Sequence, residues 1–159
     1  RMLTGRDVEM TRMELDLLDA ERSIAGRRVL VTGAGGFIGS NLVERLVRAG
    51  ARVRAMVRYN ALSSWGNLDF VPRDVLSGVE VVSGNIEDGD YVMSVAQGQD
   101  VILHLAALIA IPYSYVAPRS YVRTNVEGTL NVLEAARRMG VARVVHTSTS
   151  EVYGTAIRV

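Results

Sequence analysis

Seven residues, Gly33-Ala34-Gly35-Gly36-Phe37-Ile38-Gly39, lie between an apolar run, Val29-Leu30-Val31-Thr32, and a helical pattern, Asn41-Leu42-Val43-Glu44-Arg45-Leu46-Val47. A strand, a glycine-rich turn and a helix in that order make a cradle for a pyrophosphate. Free N–H groups at the helix start, and the positive end of its dipole, attract the anion. Glycine is needed where the chain turns sharply, where backbone approaches phosphate and where helix packs on strand. Gly33, Gly36 and Gly39 fit those tasks, with Phe37 and Ile38 at the helix start, and dinucleotide binding is favoured over a plain glycine turn. A second group, Thr149, Ser150 and Glu151, follows a later apolar run. Two hydroxyls and a carboxylate there stand where open α/β sheets place reacting groups.

Composition limits the chemistry. All 18 Lys-plus-Arg residues are arginine, so no lysine within the sequence can act in catalysis. There is no cysteine, which excludes disulfides and thiolate metal sites. The two histidines, His104 and His146, each sit in an apolar strand-like run, where a core role is expected and metal ligation is not. The net charge of +1, without a basic block, gives no sign of nucleic-acid binding. No apolar run reaches the ~18 residues of a membrane span and no signal peptide opens the chain, so a cytoplasmic protein is expected. The first residue is Arg1 rather than Met, which is expected of a cut or tagged start.

The cradle and the hydroxyl–carboxylate group need elements to position them. With 159 residues the chain is one domain in size. Residues 1–25 stand apart as a helical extension, with a capping box from Thr11 to Glu14 and Met10, Met13, Leu17 and Leu18 near one face. That face either packs on the domain or contacts a second copy. From 26 to 159 strand and helix alternate. Strands are predicted at 27–32, 52–57, 79–83, 101–105 and 143–148, and helices at 37–49, 88–97 and 118–139. Gly50 and Gly140 end two of the helices, and Pro118 suits the first turn of the last. A short helix is expected between Arg58 and Leu76. Right-handed crossovers give an α/β, Rossmann-like, doubly wound parallel sheet of about five strands in the order 3-2-1-4-5. The last strand would be an open edge, which favours a homo-oligomer.

Four motifs carry a resemblance: Thr32-Gly33-Ala34-Gly35-Gly36-Phe37-Ile38-Gly39, His104-Leu105-Ala106-Ala107, Thr124-Asn125-Val126-Glu127-Gly128-Thr129 and Ser148-Thr149-Ser150-Glu151-Val152-Tyr153-Gly154. In this order the chain resembles the extended short-chain dehydrogenase/reductase family, which includes the nucleotide-sugar epimerases and 4,6-dehydratases, from about Arg27 to Ala156. Arg58-Tyr59-Asn60 and Trp65-Gly66-Asn67-Leu68 look most like the 4,6-dehydratases.

The resemblance implies roles. Gly33, Gly36 and Gly39 hold the pyrophosphate. Asn85 and Ile86 flank adenine, with Asn85 where the family usually has aspartate. Leu105, Ala106 and Ala107 pass under the adenosine ribose. Thr124 either lies near the cofactor or bonds its own helix backbone. Thr149 bonds the sugar's C4 oxygen, and Glu151, beside Ser150, assists proton removal at C5. The family's catalytic Tyr-x-x-x-Lys pair belongs on a helix beyond Val159. The expectation is therefore an N-terminal portion, inactive alone, able to use a nucleotide sugar only if another segment completes it. Ile157-Arg158-Val159 reads as a truncation or a reading-frame scar. A stand-alone binding or regulatory module, and one half of a split enzyme, are the alternatives.

The second strand's end bears on the cofactor. Acidic residues there bind the ribose 2′-hydroxyl of NAD. This chain has Val57 and Arg58 instead, and a guanidinium grips a 2′-phosphate with paired hydrogen bonds. NADP is therefore favoured over NAD.

Overall fold

The computed structural model describes residues 12–154; the capping residue Thr11, Met10 and the end Ile157–Val159 lie outside them. Helix α1 (Arg12–Ile24) leads into β1 (Arg28–Thr32), α2 (Phe37–Arg48), β2 (Arg52–Arg58), a 3₁₀ turn at Gly66–Phe70 and α3 (Arg73–Leu76). Then follow β3 (Val79–Gly84), α4 (Gly89–Ala96), β4 (Val101–His104), α5 (Ile111–Val116), α6 (Pro118–Tyr121), a π-helical stretch at Val122–Glu127, α7 (Gly128–Met139), β5 (Arg143–His146) and a 3₁₀ turn at Ser150–Tyr153.

All four strand pairings are parallel, in the order β3-β2-β1-β4-β5. The register sets Thr32 beside Met56 and His104, and His104 beside His146. The carboxyl ends of β1, β2, β4 and β5 therefore form one rim.

Alternating side chains of β1 build two cores, because successive residues of a strand face opposite ways. Val29 and Val31 join Val53, Ala55 and Val57 against Val43 and Leu46 of α2. Leu30, with Met56 and Ile102, faces Val92 and Val95 of α4 and Val132 of α7. Burying a side chain such as Leu30 stabilises by roughly 2–3 kcal/mol. Burial on both faces holds for β1 and most of β2. It does not hold for β5, the edge strand, where Val145 and His146 are exposed, so the core role expected of His146 is corrected.

Helix α1 docks at its carboxyl end. Ile24 packs on the first core, and Glu21 pairs with Arg45 of α2 at 2.9 Å. Met13, Leu17 and Leu18 are exposed.

The predicted helix over 118–139 is one rod of helical backbone, but its middle is wound as π-helix. Gly128 closes that stretch. A Cβ there would lie 2.8 Å from Ile86 Cγ2, so the helix sits directly on the loop after β3. We expect Gly128→Val to destabilise the fold by about 2 kcal/mol through overpacking. Urea unfolding of the two proteins checks this, and an unchanged midpoint would refute the close approach.

Candidate functional site

The sequence places Gly33 at the exact corner where β1 ends. Its φ of +69° is the left-handed region, and a Cβ would lie 2.7 Å from Ala106 N. At Gly39 a Cβ would meet Gly33 O at 2.2 Å and Ala34 Cα at 2.8 Å. These two glycines fold the turn and seat α2 on β1. Gly36 differs, because a Cβ there meets only Gly33 O, at 3.3 Å, and the residue is exposed. Gly36 is the N-cap of α2 and offers no side chain to its amides. Among the described residues no acceptor receives the N–H groups of Phe37, Ile38 or Gly39. Phe37 and Ile38 are exposed, and a helix start left open to the outside in this way is suited to an anion. The cradle therefore fits a pyrophosphate: its turn is closed by glycines that admit no Cβ, and its mouth is open.

The loop after β2 covers one side of this turn. Asn67 N donates to Gly35 O at 2.9 Å, and a Cβ on Gly35 would lie 2.7 Å from Trp65 O. Arg58 ends β2 and is exposed. Asn85 is exposed, and its Oδ1 accepts from Glu87 N at 3.2 Å, so it shapes its own loop. Ile86 is buried beneath α7. Thr124, on the π-helical stretch, does not bond its own helix backbone: its hydroxyl donates to the Glu87 carboxylate at 2.7 Å.

Leu105, Ala106 and Ala107 follow β4, and the backbone of Leu105 and Ala106 lies directly against the glycine turn, as the Gly33 contact shows. A buried polar chain lies beneath them. Leu105 N and Ala106 N both donate to Thr32 Oγ1, each at 3.2 Å. Thr32 Oγ1 lies 2.7 Å from His104 Nδ1, and His104 Nε2 lies 3.0 Å from Thr129 Oγ1. Thr129 then donates to Asn125 O at 2.7 Å. With two amides on the Thr32 oxygen, its hydroxyl proton goes to Nδ1, and with the Thr129 proton on Asn125 O, Nε2 carries the ring proton. Every bond is made only by a neutral imidazole. Burial, with the nearby His146 ring 5.2 Å away, lowers the His104 pKa to about 4.

Thr149, Ser150 and Glu151 follow β5 and are exposed. Thr149 Oγ1 accepts from Glu151 N at 3.3 Å, which turns the chain into a 3₁₀ helix. Its hydroxyl proton remains available to an outside acceptor. Among the described residues no hydrogen bond joins these three to the glycine turn.

Sequence reasoning missed Thr32, Asn125 and Thr129 as site-building residues. Their side chains act on partners in other elements, which no local pattern reveals.

A parallel sheet in this order, with an open glycine cradle at the first strand's carboxyl end, defines a Rossmann-type dinucleotide-binding domain of short-chain dehydrogenase/reductase kind. The chain belongs to the GDP-mannose 4,6 dehydratase family, whose model matches residues 30–159. A dTDP-glucose 4,6-dehydratase of Streptomyces antibioticus is 42% identical over 131 residues, covering 80% of this chain and 38% of the relative. A UDP-glucose 4-epimerase of Mycolicibacterium smegmatis is 42% identical over 130 residues, covering 80% and 41%. Among solved structures, DesIV, a dTDP-glucose 4,6-dehydratase from Streptomyces venezuelae with NAD bound, superposes with a TM-score of 0.71 at 33% identity, over 82% of this chain and 42% of that one. The chain thus spans about two-fifths of the length of these relatives. Among the described residues no helix is long and apolar enough to cross a membrane.

The preference for NADP is corrected by DesIV, which holds NAD. The physical reason lies in what a ribose hydroxyl needs. It accepts as readily as it donates, so a guanidinium serves it without any 2′-phosphate. An exposed Arg58 is also an ordinary solvated side chain.

Proposed function

We propose that residues 26–159 are the NAD-binding portion of a nucleotide-sugar 4,6-dehydratase or epimerase-type enzyme, with residues 1–25 as a helical extension. The observation that carries this is the cradle: no room for a Cβ at Gly33 or Gly39, and unclaimed amides at Phe37 and Ile38. In this reading Gly36 admits the pyrophosphate, Leu105–Ala107 floor the adenosine ribose, Asn85 and Ile86 flank adenine, and Arg58 faces the ribose hydroxyls. Thr124 supports the adenine side through Glu87. NAD held there would supply the hydride acceptor for oxidation at the sugar's C4.

Thr149 accepts from Glu151 N and keeps its proton free, so it donates to the sugar's C4 oxygen. Glu151, on the next turn of chain, takes the proton from C5, which favours the dehydratase over the epimerase. Ser150 shapes the turn between them. With no lysine in the sequence, no ammonium among these residues can lower a tyrosine's pKa or hold the nicotinamide ribose. The 159 residues therefore bind NAD without turning over a nucleotide sugar.

Calorimetry tests both halves. NAD is expected to bind the chain with a dissociation constant in the micromolar range, about −8 kcal/mol. dTDP- and UDP-glucose are expected to pass through unchanged. Absence of heat with NAD would overturn the binding assignment, and measurable dehydration by this chain would overturn the division of labour.

A further inference from the structure

We propose that Thr129 and His104 are positioning residues for the dinucleotide, acting through Thr32 on the backbone of Leu105 and Ala106. This rests on the NAD-binding reading above and adds to it residues that line no part of the cradle. Three observations converge. Thr32 immediately precedes Gly33, and its hydroxyl oxygen takes both amides at the end of β4. A Cβ on Gly33 would lie 2.7 Å from Ala106 N, so the glycine turn and the β4 loop rest against each other. Any shift of Leu105–Ala106 therefore moves a wall of the cradle. The orientation of the Thr32 hydroxyl is in turn fixed by His104, and the orientation of His104 by Thr129.

The loop is held at its far end as well. Asn125 pairs with Leu108 through two bonds, accepting its N–H at 2.8 Å and donating to its carbonyl at 2.9 Å. The Tyr121 hydroxyl donates to the carbonyls of Ile109 and Ala110. Ala110 itself sits at φ +80°, a conformation a non-glycine residue keeps only when its surroundings over-determine it. A loop tied at 105–106, at 108 and at 109–110 is a pre-organised surface. The ties at 108 and 109–110 come from the π-helical stretch and its flank, and Thr129 donates to Asn125 O, so one rod holds both ends. Pre-organisation of this kind is read as affinity, because the bound form needs no further ordering.

The experiment compares Thr129→Val, which keeps shape and removes the hydroxyl, with Thr129→Ser, which keeps the hydroxyl. Thr129→Ala is the second deletion should valine prevent folding, since alanine is the better helix former. T129V, or T129A, is expected to weaken NAD binding by about tenfold in calorimetry, as losing a buried partner does. T129S is expected to restore binding to within about twofold. Amide exchange at Leu105 and Ala106 is expected to quicken in the deletion variant and recover in T129S. Wild-type affinity in a folded deletion variant overturns the proposal, as does an equal loss in T129S. If the wild-type chain binds no NAD, the functional reading itself fails. The relay is then judged by exchange alone, and unchanged exchange at Leu105 and Ala106 overturns it.

Discussion

Gly39→Val is expected to abolish dinucleotide binding and lower Tm by about 5–10 °C, while Gly36→Ala is expected to lose binding and keep the fold. The two glycines are three residues apart and do different work. A Cβ at position 39 would lie 2.2 Å from Gly33 O, which is backbone and cannot swing away. Either the helix lifts from β1 or the turn opens, and overpacking of that kind costs about 1–3 kcal/mol. For a domain of this size that is several degrees of Tm. At position 36 the nearest atom is 3.3 Å away and φ is −76°, which alanine adopts freely. The added methyl points at the open mouth, where it would hold a pyrophosphate off the amides. Thermal melts and calorimetric titration with NAD separate the two effects. A G36A protein that binds NAD as the wild type does would remove the pyrophosphate from this turn.

Much of the fold around this turn is legible in the sequence. The spacing of Gly33, Gly36 and Gly39 after an apolar run specifies a turn, an approach and a packing contact, and the structure has the turn at Gly33 and the packing contact at Gly39. Strand order followed from alternation and handedness, since a parallel pair needs a crossover and crossovers take one hand. Helix ends were local too: Gly140, at φ +68°, stops α7 where its pattern stops.

What was not legible depended on distant partners. The run 118–139 has one helical period, and nothing in it announces the π-helical winding at Val122–Glu127. Asn125 engages Leu108, 17 residues earlier, and Thr124 engages Glu87, 37 residues earlier. Helix α5 was not anticipated, since Ile111–Val116 is short and mixed and follows a strained Ala110. Arg58 misled because a donor at the end of β2 suits a hydroxyl as well as a phosphate. His104 and His146 look alike in sequence, each closing an apolar strand. One is buried because β4 is interior, the other exposed because β5 is the edge.

The buried histidine makes stability fall with acid in a window of its own. His104 titrates near 6.5 when unfolded and near 4 in the fold. Above pH 6.5 both states are neutral and its contribution is fully present. Below that the unfolded chain takes up a proton that the folded chain refuses, so unfolding gains ground until pH 4, where both are charged. With one pKa unit equal to 1.36 kcal/mol, about 2 kcal/mol is lost between pH 7.5 and pH 5. Burial is the main physical reason, with the nearby His146 ring second, and the bond pattern agrees with it. A proton on Nδ1 would displace the Thr32 hydroxyl proton, and the Thr32 oxygen already accepts from Leu105 and Ala106. The carboxylates held low by arginines, Asp100 by Arg28 and Glu134 by Arg137, release their contributions only below their ordinary range and so leave this window clear. His104→Gln, which keeps an acceptor and a donor but does not titrate, is expected to flatten the profile from pH 7.5 to 5 while starting from a lower stability at pH 7.5. Urea unfolding across that range measures both slopes. A wild-type profile as flat as that of H104Q would mean that the ring admits its proton in the folded state and that the Thr32–His104–Thr129 chain is not closed.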